Sequence, residues 1–153
     1  MYFVIVILLL LIFPVASITT EAVLSRYTLD ILFLTGKWFV FWAAGVRLFI
    51  AGVRQVIQPQ FTAEEIFDIH DRGALAIVRE LGFANLAMGL LGICSLFRAG
   101  WIVAAALVGG LYYGLAGMGH LFHKNRNAKE YVAIISDGFV FLLLLVFLVN
   151  SLP

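Results

Sequence analysis

The stretch Gly36–Ile57, GKWFVFWAAGVRLFIAGVRQVI, decides the fold, because it is apolar almost throughout and carries Arg47 near its middle. It has about the 20 residues that a helix needs to cross a bilayer. A guanidinium at that depth costs roughly 2.5–3.5 kcal/mol on insertion scales. Such a charge persists by facing protein, water or a carboxylate rather than lipid. Arg47 therefore reads as a polar site inside a membrane protein.

Composition settles the solvent. Of 153 residues, 63% are hydrophobic and 12% charged, with a mean hydropathy of +1.07, against roughly 25% charged in an ordinary soluble domain. A soluble fold of this length cannot hide so much apolar surface, so lipid must face much of it. The length suits one domain of four or five spanning helices and leaves no room for a soluble catalytic domain. A net charge of +1 gives no nucleic-acid signature. The single cysteine, Cys94, excludes an internal disulfide or a CxxC centre and reads as a small buried hydrophobe.

Working outward, five charge-poor segments emerge: 1–20, 36–57, 74–97, 100–122 and 131–150. Their lengths predict an all-α integral membrane bundle of five transmembrane helices, with four plus one peripheral helix as the alternative count. The whole chain, 1–153, is then one transmembrane helical domain. The first segment resembles a secretory signal, with small residues at Ala16 and Ser17, but lacks the positively charged start of one. It is expected to remain as a helix, kinked or ended by Pro14. Ala22–Leu34 extends helix two or lies at the interface. In the polar stretch Gln58–Asp71, Pro59 ends helix two, and Thr62 with Glu65 predicts a capping box on an amphipathic interfacial segment, 61–71. Phe61, Ile66, Phe67 and Ile69 are expected at the headgroup boundary, in preference to a gate or lid, with Glu64, Glu65 and Asp68 in water.

Orientation follows from Lys and Arg near the helix ends. Arg54, Arg72, Arg79, Lys124, Arg126 and Lys129 fall on the side of the N-terminus and of the second and fourth connections. Arg26, Lys37 and Arg98 fall on the other. The bias predicts those two connections and the N-terminus in the cytoplasm and the C-terminus outside, in an inner membrane.

At 100° per residue, Gly82, Asn85, Gly89 and Gly92 gather on one stripe of the third helix. Ala106, Gly110 and Gly114, with Gly117 beside them, form a ladder on the fourth. Small residues let membrane helices approach closely, so both stripes predict tight seams, and Asn85 an interhelical hydrogen bond. The polar groups left at membrane depth are Arg47, Glu80, Asn85, Asp137 and, near an end, His120. A guanidinium with one or two carboxylates forms a buried, nearly neutral cluster, which pins the bundle's register or builds a site. Arg54 lies two turns from Arg47 on the same face, and Tyr113, Gly117 and His120 share a face of the fourth helix. The candidate ligand-binding set is Arg47, Glu80, Asn85, Tyr113, His120 and Asp137: the arginine for an anionic or carbonyl group, the carboxylates to hold or relay a proton, the rings to cover an apolar body.

His120 and His123 are spaced i,i+3, as two corners of a metal site would be, yet no cysteine partner lies nearby. A histidine at a helix C-terminus beside Lys124 and Arg126 is more simply a dipole and headgroup contact. No metal and no haem is assigned, and the cofactor is left open. Neither a serine–histidine–acid order nor a P-loop nor a dinucleotide glycine motif is present, so no catalytic residue is named and enzymatic activity is not expected.

The run RELGFANLAMGLLGI (Arg79–Ile93), followed by GMGH (Gly117–His120), resembles an uncharacterised family of small bacterial integral membrane proteins. Its Glu-x-Gly-x-x-Asn-x-x-x-Gly-x-x-Gly core matches Glu80, Gly82, Asn85, Gly89 and Gly92, and its later Gly-x-x-His matches Gly117 and His120. The resemblance covers Gly36 through Asp137 and implies a compact helical membrane domain with no established activity. A looser similarity in size and glycine-rich core is to DoxX-like proteins, some linked to quinone-coupled redox; this chain lacks their cysteine pair.

Two functions follow. One is an intramembrane polar pocket for a small apolar or anionic ligand: quinone-like, lipid or a proton-coupled solute. The alternative is a structural or accessory subunit of a larger membrane complex, docking partner helices through its glycine stripes and Arg47. The expected partners are the lipid bilayer and either further copies of the chain or such a complex, not nucleic acid. Transporters usually carry internal repeats, and none is evident here.

Overall fold

Five helices long and apolar enough to cross a membrane run through the computed structural model, which describes residues 2–122 and 128–151. They are α1 (Phe3–Leu24), α2 (Ile31–Ile57), α3 (Arg72–Cys94), α4 (Ala99–Leu121) and α5 (Ala128–Ser151), with no strand among the described residues. The most extensive packing joins the second half of α2 to α3, and α4 to α5. Large apolar side chains such as Ile77, Leu115, Ile135 and Val149 stay exposed on the outside, as lipid-facing positions do.

Pro14 neither ends nor breaks α1. The turn before it widens over Leu8–Ile12, and the Phe13 N–H donates to Leu8 O, five residues back. A wide turn accommodates the ring and the missing donor of proline. Ala22–Leu24 therefore belong to α1 rather than to helix two. A turn with Arg26 and Tyr27 in the left-handed region (φ 52° and 59°) follows. Asp30 then starts α2 by accepting from Leu32 N at 3.2 Å and Phe33 N at 3.4 Å, a side-chain N-cap.

The glycine stripes do what the sequence predicts of them. A Cβ at Gly92 would lie 2.6 Å from Gly45 Cα, and one at Gly89 2.5 Å from Phe49 N. On the α2 side, a Cβ at Gly52 would lie 2.7 Å from Gly82 O. The α2–α3 seam is thus backbone against backbone. The α4 ladder faces α5, where Gly114 accepts the Phe141 ring and Gly117 sits against Asp137.

The 58–71 connection differs from expectation. Helical geometry begins at Pro59, so Thr62 lies inside the turn Phe61–Ile66, buried, and no side chain caps it. The capping box does not form, because proline at the first helical position moves the start upstream of Thr62. Phe61, Ile66 and Phe67 turn in toward the bundle, while Glu64, Glu65 and Asp68 face outward and Ile69 is exposed. Phe61, Ile66 and Phe67, three of the four residues expected at the headgroup boundary, cover the end of the bundle.

Candidate functional site

Arg47 ends a second wide turn, Val40–Arg47, in the middle of α2. Such turns leave carbonyls without their usual partner, and here the Tyr113 hydroxyl on α4 donates to Ala43 O at 2.7 Å. That bond holds the Tyr113 ring beneath the guanidinium, 5.1 Å from centroid to Cζ, a cation–π contact within the usual reach. From the other side, Arg47 Nη2 donates to Asp137 Oδ1 at 3.0 Å and to Ser136 Oγ at 3.1 Å on α5. Both charges are largely hidden, with 15% and 8% of their side chains exposed. Each ion offsets the desolvation of the other, so the pair persists where either alone would be costly.

The pair forms one wall of a cavity of about 550 Å3, within the range of small-molecule sites. All five helices contribute: Ile5 and Val6 from α1, Arg47, Arg54 and Gln55 from α2, Leu81 from α3, Tyr112, Ala116 and His120 from α4, Ala133 and Asp137 from α5. The 58–71 connection closes one end with Phe61, Ile66 and Phe67. Arg54 lies with its Cζ 3.3 Å from the Phe61 ring centroid. Among the described residues no carboxylate lies within ion-pair distance of Arg54. The Phe67 ring stacks on His120 at 5.4 Å and 7°. His120 Nδ1 in turn lies 3.5 Å from Glu130 Oε1, whose side chain is 1% exposed.

Of the sequence-predicted residues, Arg47, His120 and Asp137 line the cavity, and Tyr113 supports Arg47 from below. Asn85 is buried on α3 and donates Nδ2–H to Gln55 Oε1 at 2.7 Å, fixing a side chain that does line the cavity. Glu80 is not part of this cluster. It is exposed on the outer face of α3, because position 80 lies about 200° around the helix from the inward Gly82. His123 lies outside the described residues, so the i,i+3 histidine pair has only His120 in view.

Gln55, Ser136 and Glu130 join the site beyond the residues the sequence singles out. Gln55 was visible as the residue next to Arg54 and one turn beyond Gly52 on the seam. Ser136 was visible as the neighbour of Asp137. Glu130 falls just outside a fifth helix that hydropathy bounds at Tyr131, whereas the helix includes Ala128–Ser151.

A bundle of apolar helices enclosing a charge-bearing cavity is the class of molecule that fold and site define, and it fits an integral membrane protein. The chain belongs to the family of unknown function DUF6790, which matches residues 1–151. No curated protein and no solved structure matches it.

Proposed function

We propose that this protein lies in a bacterial inner membrane and binds, between its five helices, a small molecule with an apolar body and a polar head, quinone-like or lipid-like. The observation that carries this reading is the charge pattern of the cavity: a fixed Arg47–Asp137 pair, then Arg54 with no acidic partner among the described residues, on an otherwise apolar wall. In this arrangement Arg54 meets an anionic or carbonyl group, His120 adds a ring to the wall, and Phe61 and Phe67 cover the body of the ligand. The experiment is a thermal-shift series in mild detergent with decylubiquinone and oleate. A ligand-dependent rise in Tm that Ala116→Trp abolishes, by filling the cavity, supports the reading; no shift with either compound overturns it.

Glu80 favours a second reading, an accessory subunit. This exposed carboxylate lies about 12 Å along α3 from Arg72 at about 1.5 Å per residue, where hydrocarbon is expected and an uncovered charge is costly. A partner helix covers it in this reading. Capture of a stoichiometric complex that Glu80→Leu releases is the result expected of a subunit, and a lone chain in mild detergent counts against it.

A further inference from the structure

A second space lies against the wall of this cavity. An apolar groove of about 240 Å3 runs between α1 and α5, lined by Val6, Ile7, Leu10, Leu11, Ile135 and Phe139, among others. Val6 lines both spaces, and Ser136, which accepts from Arg47, lies on the groove side. The groove exists because α1 packs chiefly on α2 and makes no extensive contact with α5. Its rims are half out of the bundle, with Ile7 51% and Ile135 71% exposed. From Val6 to Leu11 it extends over about one turn of α1. The groove therefore adjoins the charged cavity across the Val6 side chain, and its side opens toward the lipid phase.

The charges lining the cavity set the sign of what enters. Arg47 and Asp137 cancel, which leaves Arg54 as the one uncompensated ion among the described lining residues. Deepening the reading above, and resting on it, we propose that the ligand is a single-chain amphiphile with one anionic head, such as a long-chain carboxylate. Its head binds Arg54 beside Phe61 and its chain leaves laterally through the α1–α5 groove. It reaches the site from the bilayer rather than from water, because the groove opens along the apolar flank of the bundle.

Native mass spectrometry of the full chain in an uncharged detergent tests this with chain-matched probes: oleate, oleyl alcohol and oleylamine, with octanoate, dioleoylphosphatidylglycerol and decylubiquinone beside them. Oleate is expected to bind one per chain, at least about tenfold more tightly than the alcohol or the amine, a difference of about 1.4 kcal/mol. Arg54→Gln is expected to bring oleate down to the level of the alcohol. Ile7→Trp with Ile135→Trp, at rim positions that already face outward, fills the groove; it weakens oleate but leaves the shorter octanoate unchanged. Equal binding of oleate and oleyl alcohol, or oleate indifferent to Arg54→Gln, overturns the anionic head. Tighter binding of dioleoylphosphatidylglycerol than of oleate overturns the single chain. If decylubiquinone binds and oleate does not, this inference falls while the cavity remains a ligand site. Failure of every probe removes both.

Discussion

Arg47 and Asp137, 90 positions apart in sequence, meet at 3.0 Å and tie α2 to α5 across the interior of the bundle. A buried pair of this kind is strongly coupled: removing one partner leaves the other charge uncompensated, at about 3–5 kcal/mol. Arg47→Met and Asp137→Leu are each expected to lower stability by about that amount. Together they are expected to cost less than the sum, because the double variant leaves no orphaned ion. Denaturation in one detergent for wild type, both single variants and the double variant gives the coupling. Strict additivity would mean that the two side chains do not meet.

How far this pair was legible in the sequence is a matter of depth and angle. The depth of Arg47 is legible, since the length of the apolar run around it places the charge far from either end. The choice between Glu80 and Asp137 as partner needs the angle, and the same 100° register that gathers Gly82, Asn85, Gly89 and Gly92 already turns Glu80 outward. The seam itself was legible because small residues repeat at helical spacing, although nothing in the repeat says that α2 supplies the opposite face. What the sequence hides is the fine structure of turns. The wide turns at Leu8–Ile12 and Val40–Arg47 have no residue signature apart from Pro14. The inward fold of Phe61 and Phe67 depends on where a proline starts a short helix.

The α2–α3 seam gives a sharper test of packing. A side chain at Gly92 meets Gly45 backbone at 2.6 Å, where nothing flexible can yield, whereas a Cβ at Gly119 meets nothing within 4 Å. Gly92→Val is expected to destabilise by about 1–3 kcal/mol through overpacking. Gly119→Ala is expected to be neutral or stabilising by up to about 1 kcal/mol, from helix propensity. A Tm series in a single detergent checks both, and equal effects at the two positions would contradict the close approach of the helices.

Orientation is testable on exposed positions at the two ends of the bundle. Tyr27 is 76% exposed in the α1–α2 turn, and the His70 side chain is 72% exposed in the 58–71 connection. With Cys94→Ser as background, Tyr27→Cys is expected to react with a membrane-impermeant maleimide on intact cells. His70→Cys is expected to react only after lysis, since the basic residues cluster at its end. The opposite labelling pattern reverses the sidedness proposed above.

Two glutamates that differ in burial make a final prediction about which acidic group the bundle depends on. Glu130 is 1% exposed and faces, at 3.5 Å, the His120 ring on which Phe67 stacks, whereas Glu80 is exposed on the outside of α3. Glu130→Gln keeps the volume but puts an amide where a buried carboxyl faces His120, and is expected to lower stability by about 1–3 kcal/mol, the range for disturbing a buried polar partner. Glu80→Gln removes a charge that nothing in the bundle surrounds, and is expected to change the stability of the isolated chain by less than about 0.5 kcal/mol. Phe67→Ala is expected to share part of the Glu130→Gln loss, because the Phe67 stack and the Glu130 carboxyl act on the same imidazole. If Glu80→Gln proved the more damaging of the two, the register of α3 described here would be wrong by half a turn.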